Sequence, residues 1–198
     1  RSYWMLVRSG DITVKQFICP SAGDTEDPTE NLELYYDFTG YSNISYGYQV
    51  PFGPRDTQPR EGMDNRQIIA ADKGPFYPKT QSTTSPNWDV GPNGALTIDD
   101  PPKNWRPFNS SNHGGQANGE GENALYGDGH ASFIRIPASG IDNVNIYTLM
   151  VNEWGVFPYG RIHGDTPQRS AAENPYPGQD AFGTGPGKYS STDSLIFP

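Results

Sequence analysis

The fold is decided by residues 123–137, NALYGDGHASFIRIP, in which two runs rich in β-forming residues flank the dipeptide Asp128-Gly129. Asp-Gly between such runs is typical of a tight β-hairpin, because glycine can take a positive φ in the turn. We therefore predict a hairpin that turns at Gly129. Its candidate core residues are Leu125, Phe133 and Ile136.

Further strands are predicted on the N-terminal side of this hairpin. Residues 66–72, RQIIAAD, have the apolar content of a buried central strand and are followed by Lys-Gly-Pro. Residues 35–50 are aromatic and β-branched, with glycines that indicate one or two strands and a bend. Residues 3–8 fit a short helix or strand, and the alternation in 11–19 favours an extended segment. The apolar run of residues 142–151 predicts another short helix or strand.

Two long segments have little periodicity. The first, about residues 74–122, is predicted to be a loop-rich insertion held to the surface by Trp88, Trp105 and Phe108. The second is an irregular C-terminal tail, about residues 158–198. Together they predict a sheet with long ordered loops.

Composition indicates one domain, residues 1–198, with a modest core. Of the 198 residues 33% are hydrophobic, and there are 23 Gly and 19 Pro. The 13% aromatic content opposes simple disorder, because each ring buries a large area. The net charge of −9, with scattered basic residues, argues against nucleic acid as a partner.

Membrane and redox signals are sparse. No run approaches the ~20 apolar residues that cross a bilayer, and the chain begins inside the apolar run 3–7, which we interpret as the loss of an N-terminal anchor. Cys19 is the sole cysteine, so an intrachain disulfide is excluded. Its sequence neighbours include no histidine or basic cluster, so we expect a small hydrophobe rather than a nucleophile.

Residues 109–115, NSSNHGG, and 123–130, NALYGDGH, carry a family resemblance. They resemble the H-X9-DG signature of prepilin-type proteins, the type II secretion pseudopilins and type IV pilin-like proteins of planctomycete-like bacteria. Shorter agreements lie at residues 3–8, 17–21, 70–73, 142–148 and 193–196. Fourteen residues separate His113 from Asp128 here, in place of nine, as though residues 116–122 contained a polar insertion.

The resemblance implies an α+β, pilin-like globular domain with a small antiparallel sheet, whose N-terminal helix is missing from this chain. It implies a structural subunit of an extracytoplasmic pilus or pseudopilus-like filament, without catalysis. Its partners would be copies of itself or related pilin-like subunits, and only the absent helix would contact a membrane. The expected location is the bacterial cell envelope, periplasmic or extracellular.

Four residues are candidate metal ligands. If the hairpin brings Asp128 and His130 near His113 and Asp72, two imidazoles and two carboxylates could bind a divalent transition metal. Alternatively, His113, Asp128 and Gly129 form a structural motif, in which His113 donates to a backbone carbonyl or to Asp128 and fixes the long loop to the hairpin.

Calcium is a separate candidate, since the resemblance extends to major pseudopilins that hold one Ca2+ with loop oxygens. No loop with regular acidic spacing is present. The candidate donors are Asp99, Asp100, Glu120, Glu122, Asp142 and Asp193.

Two other classes of function remain open. A surface adhesin or carbohydrate-binding module is suggested by Tyr46, Tyr48, Trp88 and Trp105, whose rings could stack on sugars. A metal-dependent hydrolase is the second alternative, although the sequence has no zinc-protease, nucleophile-elbow, phosphate-loop or dinucleotide motif.

Overall fold

The computed structural model describes residues 2–49, 51, 58–75, 96, 98–115, 118–143, 145–147, 149–150, 165–166, 194 and 196–197. The helices are α1 (Ser2–Arg8) and α2 (Pro102–Trp105). The strands are β1 (Tyr46–Gln49), β2 (Ile68–Asp72), β3 (Glu122–Tyr126), β4 (Ala131–Ile134), β5 (Leu149–Met150), β6 (Asp165–Thr166) and β7 (Ile196–Phe197). Single 3-10 turns lie at Val14–Phe17, Leu32–Leu34, Tyr41–Asn43 and Ile141–Asn143.

Five strands form one antiparallel sheet in the order β4-β3-β2-β1-β7. The prediction of a buried central strand at residues 66–72 is confirmed, because β2 occupies the middle position. A second, two-stranded sheet pairs β5 with β6. Helices beside an antiparallel sheet make this an α+β protein.

The hairpin predicted around Asp128-Gly129 is confirmed. Strands β3 and β4 pair antiparallel, and the turn is closed by the Gly129 N–H, which donates to the Tyr126 carbonyl at 2.9 Å. Gly129 has φ +89°, the left-handed value that its sequence context predicts.

One prediction for the hairpin core is wrong. Phe133 is 46% exposed, while Leu125 and Ile136 are half-buried. The reason is the register: Phe133 lies opposite Asn123, which is also exposed, and side chains alternate between the two faces of a strand. The buried face of β3 is formed by Glu122 and Ala124.

Three small apolar clusters form the core within the described residues. The largest lies on the sheet, at Ile68, Ala71, Ala124, Ile146, Tyr147 and Ile196. A second joins α1 to the following segment, at Trp4, Val7, Phe17 and Ile44. A third lies beneath the loops, at Leu96, Trp105, Phe108 and Ala138. Burial of each large side chain contributes roughly 1.5–3 kcal/mol.

The predicted extended segment at residues 11–19 is wrong in its centre. Val14–Phe17 form a 3-10 turn, which begins where the Thr13 N–H donates to the Gln16 side chain at 2.9 Å. This turn places Phe17 edge-on against Phe38, with ring centroids 5.3 Å apart. Burial of an aromatic ring therefore outweighs the weak local preference for an extended chain.

The chain between β2 and β3 is ordered where it is described. Trp105 and Phe108 are fully buried, as predicted for anchors of a long loop, and Trp105 ends the short helix α2. The third predicted anchor, Trp88, lies outside the described residues. Most of the predicted tail, about 158–198, also lies outside them.

Within the described residues, every helix is too short or too polar to cross a membrane.

Candidate functional site

Asp72 lies at the end of the central strand β2, beside the start of β3, and its side chain is fully buried. Two amides hold its carboxylate: Asn112 Nδ2 donates to Oδ1 at 2.8 Å, and the Asn123 backbone N–H donates to Oδ2 at 2.6 Å. The Asn112 side-chain amide also donates, at 2.7 Å, to the backbone carbonyl of Ser45, which immediately precedes β1. The position of the carboxylate is therefore fixed by three separate segments of the chain.

His113 follows Asn112 and meets this carboxylate from the loop side. Its Nε2 atom lies 3.1 Å from Asp72 Oδ2 and 3.0 Å from Asn123 Nδ2. The imidazole also packs edge-on against Phe133, with centroids 5.5 Å apart. His113 therefore joins the loop to β2, β3 and β4.

Cys19 completes a cluster of three potential ligands. Its buried Sγ atom lies 3.9 Å from His113 Nε2, and the ligand atoms of Cys19, Asp72 and His113 all lie within 4.8 Å of one another. Burial, followed by the nearby Cys19 and Asp72, raises the pKa of Tyr46 to about 12. We call Cys19, Asp72 and His113 the Cys-Asp-His cluster.

The sequence could not reveal the role of Cys19, because its contact with His113 spans 94 positions. Cys19 has no histidine among its sequence neighbours, but in the folded protein His113 lies beside it. No spacing signal marks the contact, since each ligand comes from a different segment.

Asp128 and His130, the other two predicted ligands, form a separate pair in the hairpin turn. His130 Nδ1 lies 2.5 Å from Asp128 Oδ1, and both side chains are about half exposed. The imidazole stacks on Tyr126, with centroids 4.2 Å apart. Hydrogen bonds from His130, the backbone N–H first, lower the pKa of Asp128.

The four predicted ligands are therefore not brought to a single site. Asp72 contacts Asn123 near the start of β3, whereas Asp128 follows the end of that strand at Tyr126. Because a strand rises about 3.3 Å per residue, the two pairs lie more than about 10 Å apart. His113 does fix the loop to the hairpin, but through Asn123 and Phe133 rather than through Asp128.

A buried ion pair lies next to the cluster. Lys73 Nζ contacts Asp24 Oδ2 at 2.7 Å and donates to the carbonyls of Tyr41 and Ile44 at 2.7 and 2.9 Å. All three ammonium protons therefore have acceptors, which is the condition under which a buried lysine is tolerated. We call Asp24, Asp72, Lys73, Asn112 and His113 the buried polar junction.

Glu122 is an acidic group behind the cluster. Burial, together with the nearby charge of Asp72, raises the pKa of Glu122 well above its usual range, against a hydrogen bond from the Ser110 N–H. Burial therefore favours the neutral, protonated form of Glu122 over the carboxylate.

Among the carboxylates proposed for calcium, those that the structure describes do not converge. Among the side chains that the structure describes, the Cys-Asp-His cluster is the one group of three potential ligands. Glu122, one of the candidates, is fully buried, and burial raises its pKa. Asp193 and the side chain of Asp142 lie outside the described residues. The described part of the chain gives no support for a calcium site.

The aromatic residues proposed for sugar stacking are largely enclosed. Trp105 is fully buried, and Tyr46 and Tyr48 are half-buried in β1. A surface cleft of about 490 Å³ lies elsewhere, lined by Pro101, Pro102, Lys103, Arg106, Glu120, Phe133 and Arg135. None of the three cluster residues lines this cleft.

The fold and the cluster define an α+β protein whose small antiparallel sheet meets its N-terminal segment and its long loop at a buried polar junction. No protein-family model, curated protein or solved structure matches the chain.

Proposed function

We propose that this chain is the globular, pilin-like part of a structural subunit of a pilus or pseudopilus-like filament. In this proposal the protein acts in the bacterial cell envelope, periplasmic or extracellular, and has no catalytic role. Its partners are copies of itself or related pilin-like subunits. In such a filament, the domain contacts its neighbours side by side and keeps its shape.

An exposed apolar surface beside α1 carries the proposal. Met5 is 56% exposed on the outer side of the helix, and Leu34 and Tyr36 of the neighbouring segment are 69% and 66% exposed. Leu6 and Tyr35 are also exposed. These five residues lie on α1 or on the neighbouring residues 34–36, and we call them the α1 patch. A group of large apolar side chains in water favours association, because each one gains free energy on burial.

The α1 patch is held rigidly from beneath. The indole of Trp4 is fully buried and donates to the Tyr35 carbonyl at 2.9 Å, and Arg8 lies over the Tyr36 ring, 4.6 Å from its centroid. Because these groups are already ordered, little conformational entropy is lost when the α1 patch associates with a partner. Rigid, partly aromatic surfaces of this kind are typical of protein interfaces.

The resemblance to prepilin-type proteins supports the same function. Its two signature elements, His113 and the Asp128-Gly129 turn, lie on the loop and hairpin of one small sheet. In a filament subunit, loops joined firmly to the sheet keep the outer surface in shape under load. Self-association of identical or related subunits in a head-to-tail manner then produces an open polymer.

The test uses cells that produce the full-length protein. Filaments sheared from the cell surface are probed with an antibody to this domain, and the mature N-terminus is analysed by mass spectrometry. We expect the domain in the filament fraction and an N-methylated apolar N-terminus. Met5→Lys combined with Leu34→Lys should lower filament recovery about tenfold or more, because lysines are depleted at interfaces.

Ser132→Lys is the matched control. It adds one lysine, as each single substitution of the α1 patch does, on the edge strand β4 at an exposed position away from the patch, and should leave filament recovery unchanged. Wild-type protein that reaches the cell surface but never enters a filament fraction refutes the proposal. Retention on a glycan array that depends on Tyr35 and Tyr36 would instead favour the carbohydrate-binding alternative.

A further inference from the structure

We propose that Cys19, Asp72 and His113 form a binding site for one divalent transition metal ion, for which zinc is the best fit. The ion would join the N-terminal segment, the central strand and the long loop. The proposal is independent of filament assembly, since a metal site of this kind could stabilise the domain in any function.

The spacing of the three ligand atoms suits tetrahedral zinc. With Zn–S near 2.3 Å and Zn–N and Zn–O near 2.1 Å, tetrahedral angles place sulfur and nitrogen about 3.6 Å apart, and nitrogen and oxygen about 3.4 Å apart. The corresponding distances here are 3.9 Å for Cys19 Sγ to His113 Nε2 and 3.1 Å for His113 Nε2 to Asp72 Oδ2. For these two pairs, shifts of about 0.3 Å give the tetrahedral spacing. The third pair, Cys19 Sγ and the Asp72 carboxylate, lies within 4.8 Å.

Without a metal ion, His113 Nε2 has one unfavourable close contact in either protonation state. If Nε2 carries a proton, it faces the amino group of Asn123 at 3.0 Å, which is also a donor. If Nε2 is unprotonated, its lone pair faces a carboxylate oxygen of Asp72 at 3.1 Å. A cation between Nε2 and the carboxylate resolves the conflict, because both lone pairs then bind it and Asn123 Nδ2 donates to Asp72 Oδ2, 3.2 Å away.

Charge and chemistry favour zinc over calcium. A thiolate and a carboxylate neutralise a dication, so the complex adds no net charge to a site in which Cys19 and Asp72 are buried. Sulfur and imidazole are ligands for zinc and its neighbours, whereas calcium and magnesium take oxygen ligands. The His113 side chain is 21% exposed and Asn123 is exposed, so a water molecule could reach the ion as its fourth ligand.

The experiment titrates the purified chain, stripped with a chelator, first with Co2+ and then with Zn2+. We expect one Co2+ per chain, with the near-ultraviolet absorption of a thiolate–cobalt bond, and its loss when Zn2+ displaces cobalt. Because Cys19 is the sole cysteine, alkylation by iodoacetamide reports on one site. Zinc should slow that alkylation about tenfold or more and should raise Tm by mass action.

Cys19→Ala and His113→Gln should each abolish the cobalt absorption or weaken zinc binding by about tenfold or more. His130→Gln is the matched control, because it removes an imidazole that also contacts a carboxylate but lies in the exposed turn. It should leave binding unchanged. The test includes chelated samples, in which Tm shows whether a variant still folds.

The proposal is refuted if the wild-type chain binds less than one equivalent of metal, or if zinc leaves the alkylation rate of Cys19 unchanged. These two measurements need no variant, so they decide the question even if Cys19→Ala fails to fold. It is equally refuted if His130→Gln abolishes binding while Cys19→Ala and His113→Gln do not.

Discussion

Two Asp–His pairs in this protein have the same composition and opposite surroundings. Asp72 and His113 meet inside the buried polar junction, where amides from two other positions hold the carboxylate. Asp128 and His130 meet in the exposed hairpin turn. The comparison teaches that residue type alone does not determine a site. Burial and the number of segments that converge decide what a pair contributes.

The largest expected effect lies in the buried polar junction. Asp24→Ala leaves the ammonium of Lys73 without its carboxylate partner in the interior, and the loss of one member of a buried pair costs about 3–5 kcal/mol. Urea denaturation of the purified domain measures the free energy of unfolding. The control is Asp64→Ala, which removes a surface contact to Arg66 and should leave the denaturation midpoint unchanged. Equal midpoints for Asp24→Ala and wild type would break the comparison.

The two pairs can be compared directly by truncating each carboxylate. Asp72→Ala removes the acceptor for Asn112 and for the Asn123 N–H, and we expect a loss of about 3 kcal/mol in the free energy of unfolding. Asp128→Ala should hardly change it, because water replaces the lost contacts. Measurements in chelator exclude any contribution from metal. A larger loss for Asp128→Ala than for Asp72→Ala would contradict the contrast between the sites.

The two regions should also respond to pH with opposite sign. The folded state raises the pKa of Glu122 above its usual 4.5, so its stabilising contribution is present below that value and is lost as pH rises through the folded pKa. Glu122→Gln should therefore gain stability over wild type as pH rises, by at most about 1.4 kcal/mol per pH unit. Asp128 behaves oppositely, because its pKa is lowered: its contribution is lost as pH falls through the folded value.

Urea midpoints for wild type and Glu122→Gln, measured from about pH 5 to about pH 9, test the sign. A difference that does not vary with pH would show that Glu122 keeps the same charge in the folded and unfolded states. Asp128→Asn serves as the comparison variant: its small difference from wild type should be present near neutral pH and should disappear as pH falls into the acid range, where Asp128 is protonated in both states.

The smallest effect concerns the turn backbone. The Cβ added by Gly129→Ala would meet no atom within 4 Å. The loss in the free energy of unfolding therefore comes from the positive φ of +89° and should be about 1 kcal/mol. Gly119→Ala in the long loop should cost more, because its Cβ would lie 2.3 Å from the Ser110 carbonyl oxygen. Thermal unfolding by circular dichroism compares the two variants. A lower Tm for Gly129→Ala than for Gly119→Ala would contradict this order.

Local signals predicted the parts of the fold that local chemistry controls. Asp-Gly between two β-rich runs located the hairpin, and the apolar run of residues 66–72 located the central strand. The burial of Phe133 was mispredicted, because the face of a strand depends on register with its neighbour rather than on hydrophobicity. The 3-10 turn at Val14–Phe17 was missed for a related reason, since a distant ring, Phe38, determines it.

The candidate site was half predicted. Asp72 and His113 were named from the sequence, and the structure brings them together. Cys19 was excluded because its sequence neighbours include no histidine or basic cluster. Asp128 and His130 were included because they lie in the same signature as His113. Both errors arise because spacing in the sequence is a poor guide to distance in the fold. Cys19 and His113 are 94 positions apart and in contact. Asp128 is much nearer to His113 in the sequence, but the length of strand β3 keeps the two apart.

The last described strand has a consequence for how the protein reaches its folded state. Strand β7 pairs Phe197 with Tyr48 of β1, and the Ile196 N–H donates to the Ile146 carbonyl at 2.7 Å. A growing chain therefore exposes one side of β1 until nearly all of this sequence has been synthesised. During that interval β1 presents an open edge to any other strand in the cell, so a chaperone that covers this edge would protect the nascent protein from aggregation.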